Sequence, residues 1–137
     1  TGGRPVYAEC GGFLYLLESL TGLDGTRHDM AGVFPAHAEM LPRLQRLGYI
    51  EAAALAGHPY LAEGEKIRGH EFHYSAISDM PARIQRICRV TRRKDKAEFA
   101  EGFLVNNTLA GYMHLHFASN PGFAENFVSS CSQAPPS

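Results

Sequence analysis

The chain has 137 residues, 45% of them hydrophobic and 20% charged, and its formal net charge is -1 at pH 7. This length suffices for one hydrophobic core and is short for two ordinary domains, so we expect residues 1–137 to form a single unit. The near-neutral charge argues against a nucleic-acid partner. No apolar stretch approaches the roughly 20 residues that cross a bilayer, so we expect no membrane partner.

Cysteine usage and the start of the chain set two further expectations. Three widely spaced cysteines, Cys10, Cys88 and Cys131, and no leader-like opening indicate a reduced, cytoplasmic protein. Thr1 opens directly onto a loop and a strand, so we expect residues upstream of it. A sheet lacking its first strands would have an open edge, which predicts a homo-oligomer.

The hydrophobic period changes at Cys10. Residues 5–9 resemble a short buried strand, whereas the apolar residues after Cys10 recur at helical spacing as far as Leu20. Thr21 and Gly22 are expected to end that helix. The opening therefore predicts a strand, a sharp turn and a helix.

The segment from Met30 to Ser119 is mostly extended. Apolar runs bounded by Gly, Pro and Asn predict several antiparallel strands, at residues 31–41, 49–55, 67–77, 86–91 and 102–117. Between them we expect a loop at 56–65, a hairpin tip at 92–96, a tight turn with positive φ at Asn106–Asn107, and a helical turn at 41–48.

The chain closes with a second predicted helix. Asn120 followed by Pro121 is typical of a helix start, and Phe123, Phe127 and Cys131 would form its apolar stripe. Residues 130–137 are expected to fray. The predicted fold class is α/β, with the strand before Cys10 in a mainly parallel sheet, helices packed on it and antiparallel strands added.

Cys10 is the candidate nucleophile. A side chain at a strand-to-helix turn is exposed in a strained conformation and needs small neighbours, which Ala8, Gly11 and Gly12 provide. The helix amides would stabilise the thiolate, and the N–H of Gly11 would bind an oxyanion. The alternative is a buried structural cysteine before a glycine turn, which the paired glycines make less favourable.

The late segment from Tyr112 to Phe117 supplies a candidate base. Strict alternation would put Tyr112, His114 and His116 on one face and the apolar residues on the other. His114 could then accept the thiol proton and return it to leaving ammonia. Without Cys10, two satisfied surface histidines would be the default interpretation.

A third feature is the segment GHEFHYS, residues 69–75. On a strand, His70 and Phe72 would face one way, and Glu71, His73 and Ser75 the other. The segment could recognise a zwitterionic amino acid, with Glu71, Phe72 and His73 as candidate binding residues, or it could be a polar cluster that holds the sheet. Both interpretations stay open.

The five histidines and acids of these two segments also permit a metal-binding module. Zinc accepts imidazole and carboxylate ligands, but no histidine is paired with a cysteine at ligand spacing, and Cys10 would be left unexplained. We therefore expect no metal site in this chain. A non-catalytic interaction domain is a further alternative.

Five segments occur in the order PVYAECGGFLYL, AGVFPAHAEM, LGYIEA, IRGHEFHYS and GYMHLHFASNP. Together they resemble the glutamine amidotransferase domain of the cobyrinic acid a,c-diamide synthase family, over nearly the whole chain up to Phe127. The enzyme that amidates nickel sirohydrochlorin is similar. Cobyric acid synthase and the amidotransferase subunit acting on peptidoglycan lipid II are more distant relatives.

The resemblance implies a class I amidotransferase-like (flavodoxin-like) fold and a triad-type glutaminase. Cys10 would attack the side-chain amide of glutamine, with His114 as the catalytic histidine. Ammonia would be released, and a glutamyl thioester would remain on Cys10. An N-terminal synthetase domain would use ATP and magnesium to activate the a and c carboxylates of the corrinoid, cobyrinic acid. No GxxxxGK[ST] phosphate loop occurs in this chain, so we expect no cofactor in it and no complete amidation by it alone.

Two departures from the related triad enzymes stand out. Those enzymes carry a Glu two residues after the catalytic His, and this position is His116 here, which makes it a candidate for orienting His114. Glu71, a water or a backbone carbonyl are other candidates for the third role. The upstream glycine-rich segment that supplies a second oxyanion donor in the family is not found either.

Overall fold

The computed structural model describes residues 3 to 134. They form eleven strands, two α-helices and one 3-10 helix. In chain order the elements are β1 (Val6–Glu9), α1 (Gly11–Tyr15), β2 (Leu17–Thr21), β3 (Arg27–Asp29), β4 (Phe34–Met40), β5 (Arg46–Ala54), β6 (Lys66–His73), β7 (Ser75–Ile77), β8 (Gln85–Arg92), β9 (Glu98–Val105), β10 (Thr108–Gly111), β11 (His114–Leu115), the 3-10 helix (Phe117–Ser119) and α2 (Pro121–Gln133).

The strands form two sheets. The larger has the order β1-β10-β9-β8-β5-β6-β11, and the smaller has the order β3-β2-β4-β7. The predicted α/β class is confirmed. The expectation of a mainly parallel sheet is wrong for the described residues, since β1 with β10 and β2 with β4 are the parallel pairs and the other pairs are antiparallel. Parallel pairs need long crossovers, whereas β8, β9 and β10 are joined by short turns.

The first helix is much shorter than its apolar spacing predicts. It ends at Tyr15, and Leu17 begins β2. Leu17 and Ser19 are buried while Glu18 between them is exposed, which is the period of a strand. Pairing of β2 with β4 on one side and β3 on the other therefore overrides the helical pattern.

Several turns agree with the sequence. The loop at residues 56–65 is present, Asn106 has φ 51°, and the hairpin tip at 92–96 is closed by the N–H of Arg92, which donates to the carbonyl of Ala97 at 2.9 Å. The helical turn at residues 41–48 is wrong. Leu44 and Leu47 are exposed, so no apolar face is buried there, and the chain enters β5 at Arg46.

The second helix begins where the sequence predicts, at Pro121, with Asn120 in the cap position. The Asn120 side chain does not cap it but donates to the carbonyl of Lys66 at 3.0 Å. Phe123 is buried and Phe127 packs on the core, whereas Cys131 is exposed, so the apolar stripe is shorter than expected. Residues 130–133 are helical rather than frayed, and Pro135 to Ser137 lie outside the described residues.

Two hydrophobic clusters hold these layers. The first lies between the larger sheet and α2 and includes Ile50, Ile67, Ile87, Val90, Leu109 and Phe123. The second joins α1 to both sheets, and at its centre the fully buried ring of Phe13 lies 5.5 to 5.8 Å from the rings of Phe34, Phe103 and Tyr112. Burial of one such ring stabilises the fold by about 2 kcal/mol, and this cluster anchors α1 behind Cys10.

The larger sheet curls back on itself. β10 and β11 are separated in the strand order by β9, β8, β5 and β6, but in the chain only Tyr112 and Met113 lie between them. Three peptide units span at most about 11 Å, so the β6–β11 edge must return to the end of β10. Across this junction the N–H of Leu115 donates to Glu9 Oε1 at 2.9 Å.

The other edge of the larger sheet, within the described residues, is β1, where Val6 is 40% exposed. Self-association through such an edge stays a prediction. No helix in the described part of the chain combines the length and the apolar character needed to cross a membrane.

Gly69 is the residue that permits the β6–β11 pairing. A Cβ built on Gly69 would overlap the carbonyl oxygen of His114, a backbone atom that cannot move aside. We expect Gly69→Ala to lower the free energy of unfolding by at least about 2 kcal/mol, measured by urea denaturation. Gly64→Ala is the matched control, because Gly64 has φ 86° but open space around it, so only the backbone cost of about 1 kcal/mol applies. Equal losses in the two variants would contradict the steric argument.

Candidate functional site

The turn at Cys10 is a sharp strand-to-helix elbow. Cys10 has φ 47° and ψ -107°, a conformation that costs roughly 1 to 3 kcal/mol in a residue with a side chain. It is held by the Cys10 N–H, which donates to Gly111 O at 2.9 Å, and by the Cys10 carbonyl, which accepts from Leu14 N at 3.0 Å. The Sγ is half-buried and lies 3.6 Å from the carbonyl oxygen of Phe72. The predicted sharp turn with an accessible thiol is thus present.

The two glycines after Cys10 differ in the space around them. A Cβ on Gly12 would lie 3.4 Å from the Cβ of Ala8, so the helix and β1 are already in contact there. A Cβ on Gly11 would meet nothing within 4 Å. Packing within the chain therefore does not require glycine at position 11, because a methyl group there would have room.

His114 comes within 3.6 Å of Glu9, the residue before Cys10, through a change of partner strand and not through the predicted alternation. The chain leaves β10 at Gly111 and joins β6 at His114, opposite His70. Tyr112 and Met113 are both buried, and Phe117 is 39% exposed in the 3-10 helix, so strict alternation from 112 to 117 is wrong. A two-residue link between different strands cannot keep the pleat of either one.

Glu9 joins the elbow to His114. Its Oε2 lies 3.6 Å from His114 Nδ1, while its Oε1 accepts from Tyr7 Oη at 2.6 Å and from Leu115 N at 2.9 Å. The sequence reasoning did not single out Glu9. The signal available was its position beside Cys10 and two residues after Tyr7, on the same face of β1.

Of the other imidazoles, His116 was expected beside His114, and His70 was not. The ring of His70 stacks on that of His114, with centroids 4.8 Å apart and planes 10° apart. His116 is exposed, and its backbone N–H donates to Arg68 O at 2.8 Å. Among the described residues, the carboxylate within ion-pairing distance of His114 is that of Glu9, not that of Glu71.

β6 alternates as predicted, and this divides the three candidate glutamine-binding residues. Phe72 is exposed, whereas Glu71 and His73 are buried on the opposite face of the strand. His73 Nδ1 lies 2.9 Å from Ser75 O, and its ring stacks on Tyr112 at 3.7 Å. These contacts favour a structural role for His73, in a polar cluster that holds the two sheets together.

Glu71 and His73 line a pocket of about 390 Å³ whose lining also includes Arg46, Arg92, Glu101 and Tyr112. Burial raises the pKa of Glu71, and burial lowers that of His73. Burial raises the pKa of Glu101 to about 7; the Tyr112 N–H opposes this, and the Glu71 charge adds to it. Within the described residues Glu101 Oε2 has no hydrogen-bond partner, so a charged Glu101 is poorly compensated.

The electrostatics of Cys10 differ from the expectation. Burial raises the pKa of the Cys10 thiol, the Gly11 N–H lowers it, and the carboxylates of Glu9 and Glu101 raise it further, so the net shift is upward. The predicted helix-end amide is present, but burial and two negative charges outweigh it. The thiol is therefore protonated at neutral pH, and its reaction requires a base.

The histidines do not converge on one point. His70 and His114 lie together at the outer edge of β6, while His73 faces the interior. The described residues contain no group of three or more His, Cys, Asp or Glu side chains arranged to hold a metal ion.

Comparison with known proteins gives a consistent result. Residues 1–122 match the model of the CobB/CobQ-like glutamine amidotransferase domain. The chain belongs to this family. The family's name refers to glutamine, and Cys10 and His114 are the candidate groups for that chemistry.

The two curated relatives compared next have the same name. The chain is 45% identical over 130 residues to a cobyrinate a,c-diamide synthase of Syntrophotalea carbinolica, covering 93% of this chain and 28% of that protein. It is 41% identical over 129 residues to a protein of that name from Salmonella typhimurium, with the same two coverages. The chain thus spans little more than a quarter of the length of these relatives and matches their amidotransferase portion.

A glutamine amidotransferase of Thermotoga maritima overlaps 74% of this chain and 41% of its own, with a TM-score of 0.38 and 13% sequence identity. This structural similarity is too low to decide the fold. The fold follows from the strand pairing of this domain itself.

The buried Glu101 of this domain predicts a pH-dependent stability. A carboxyl whose folded pKa is raised from 4.5 to about 7 disfavours the folded state once it ionises, so its contribution becomes unfavourable as pH rises through that interval. We expect Glu101→Gln to gain stability relative to the parent between pH 5 and pH 8, by up to about 3 kcal/mol.

Urea denaturation at several pH values measures this difference. Glu98→Gln, at an exposed position of the same strand, is the matched control and should follow the parent curve. A constant difference between Glu101→Gln and the parent across pH would show that Glu101 does not titrate in this interval.

Proposed function

We propose that this chain is the glutaminase part of an ATP-dependent cobyrinate a,c-diamide synthase, and that it releases ammonia from glutamine through a thioester on Cys10. The observation that carries the proposal is the strained, accessible thiol at the elbow, adjacent in the chain to the carboxylate that lies 3.6 Å from His114 Nδ1. Family membership and the names of the relatives support the same chemistry.

The reaction follows from these groups. His114 accepts the proton of the Cys10 thiol, and Sγ attacks the side-chain carbonyl carbon of glutamine. The N–H of Gly11, which interacts with the Cys10 thiol in the free protein, donates to the oxyanion that forms. The C–N bond then breaks, and His114 returns the proton to the departing nitrogen, which leaves as ammonia.

The second half-reaction regenerates the thiol. Water enters the space left by ammonia, gives a proton to His114 and attacks the glutamyl thioester. The C–S bond breaks, the proton passes to Sγ, and glutamate leaves. Since the pKa of the thiol is raised in the free protein, the base is needed in each cycle.

The polar end of glutamine is the less defined part of the site. The carbonyl oxygen of Phe72 lies 3.6 Å from Cys10 Sγ, and Phe72 is 46% exposed, so this residue suits contact with the aliphatic part of the substrate. Glu71 and His73 line the pocket on the other face of β6 and would reach glutamine only if the substrate extends into that pocket.

The remaining parts of the activity lie outside these residues. The sequence contains no GxxxxGK[ST] loop, so ATP and magnesium would act in a synthetase portion corresponding to the rest of the relatives. That portion would use ammonia to amidate the a and c carboxylates of the corrinoid; amidation of nickel sirohydrochlorin needs the same glutaminase chemistry. Three cysteines without a disulfide suit a reducing, cytoplasmic setting.

Cys10→Ala should lower ammonia release from glutamine at least about 1,000-fold, because no other described thiol lies at an elbow. A coupled glutamate assay on the protein carrying this chain measures it. Cys131→Ser, an exposed thiol on α2, is the matched control and should keep the parent rate. A glutamine-mimicking diazo-ketone should label Cys10 alone; ammonia release that survives Cys10→Ala would remove the proposed nucleophile.

His114→Gln should lower kcat roughly 100- to 10,000-fold with a smaller change in KM, because a general base acts in the transition state more than in binding. His116→Gln is the control, since His116 is exposed two residues away. Equal losses at both positions would instead support the earlier expectation that His116 orients His114.

A further inference from the structure

The carboxylate of Glu9 is held in place by two other residues. Its Oε1 accepts two hydrogen bonds, from Tyr7 Oη at 2.6 Å and from Leu115 N at 2.9 Å. Burial, and then the Glu9 carboxylate, raise the pKa of Tyr7 well above its ordinary value, so its hydroxyl stays protonated and donates. The carboxylate is therefore held between the strand of the nucleophile and the strand of the base.

The remaining oxygen of Glu9 faces His114. Oε2 lies 3.6 Å from His114 Nδ1, longer than a hydrogen bond but within ion-pairing range, and the Glu9 side chain is 26% exposed. Catalytic contacts are often loose without substrate and shorten in the reacting complex. The stacked ring of His70, only 10° from parallel, sets the plane in which the imidazole presents Nδ1 to this oxygen.

A carboxylate at Nδ1 has two consequences. It favours the tautomer with the proton on Nδ1, which leaves the lone pair of Nε2 to accept the Cys10 proton. It also stabilises the imidazolium that forms at that moment. Both effects act on the base and leave Cys10 itself chemically unchanged.

We propose that Glu9 is the positioning residue of this site, filling the third role that His116 and Glu71 do not fill. The proposal rests on the proposed glutaminase function. Glu9 follows Tyr7 on β1 and immediately precedes Cys10, so the same strand that carries the nucleophile also orients its base.

The direct effect of Glu9 on Cys10 has the opposite sign, and this separates the two roles. The Glu9 charge raises the pKa of the thiol, so neutralising it alone would favour the thiolate. If a Glu9 variant has a lower kcat but its Cys10 thiol is alkylated as fast as in the parent, the loss of activity arises at the His114 imidazole.

The test replaces Glu9 in the Cys131→Ser background, so that Cys10 is the accessible thiol among the described cysteines. Glu9→Gln should lower kcat roughly 10- to 100-fold with little change in KM. Alkylation of Cys10 by iodoacetamide should be as fast as in the parent or faster. The acid limb of the kcat/KM profile should move to lower pH, because the imidazolium loses its counter-charge.

Three further variants complete the design. Glu9→Asp keeps the charge at a greater distance and should recover part of the lost rate. Glu51→Gln is the matched control, since Glu51 pairs with Lys66 at 3.1 Å rather than with His114, and it should keep the parent kinetics. In the His114→Gln background, Glu9→Gln should cause no further loss, because the two residues act as one unit.

The outcomes separate the proposal from the function on which it rests. If Cys10→Ala keeps ammonia release, the glutaminase assignment fails first. If Cys10→Ala is inactive while folded Glu9→Gln keeps the parent kcat and pH profile, only the role of Glu9 is overturned. Losses that add fully in the double variant, or slower alkylation that accounts for the lost turnover, overturn it as well.

Discussion

The two-residue link between β10 and β11 is the constraint on which the site depends. Because Tyr112 and Met113 can span only about 11 Å, the far edge of a seven-stranded sheet has to return to the strand beside β1. That closure sets β11 next to the residue preceding Cys10, and Gly69 makes it sterically possible. Cys10 and His114 are 104 residues apart in the chain, and the curl of the sheet, not local structure, brings His114 beside Glu9.

Packing and chemistry are linked at the elbow. The aromatic cluster around Phe13 fixes α1 and thereby stabilises a backbone conformation at Cys10 that is unfavourable by itself. The resting thiol is not activated: burial and nearby carboxylates raise its pKa. In the proposed mechanism, such a thiol stays protonated until a base acts.

The acidic pocket behind β6 affects stability more directly than chemistry. One oxygen of Glu101 accepts a hydrogen bond from the Tyr112 N–H, and the other has no partner among residues 3 to 134. The charge of Glu71 opposes the ionisation of Glu101. His73 at the end of β6 stacks on Tyr112, and Ser75 of the smaller sheet hydrogen-bonds to its hydroxyl. Tyr112 thus joins the two sheets immediately before the chain turns toward His114, so a change in this polar cluster would also alter the position of His114.

The sequence by itself determined the elements whose signals are local. The turn at Cys10, the Asn106–Asn107 reversal, the start of α2 and the in-out alternation of β6 depend on neighbouring residues, and each is present. Tertiary structure decided the rest. Leu17 and Leu20 fit a helix by spacing but join β2, because pairing with β4 outweighs propensity. The change of strand at Tyr112 and the contact of Glu9 with His114 arise from closure of the sheet, and an interaction between residues a hundred positions apart leaves no period in the sequence.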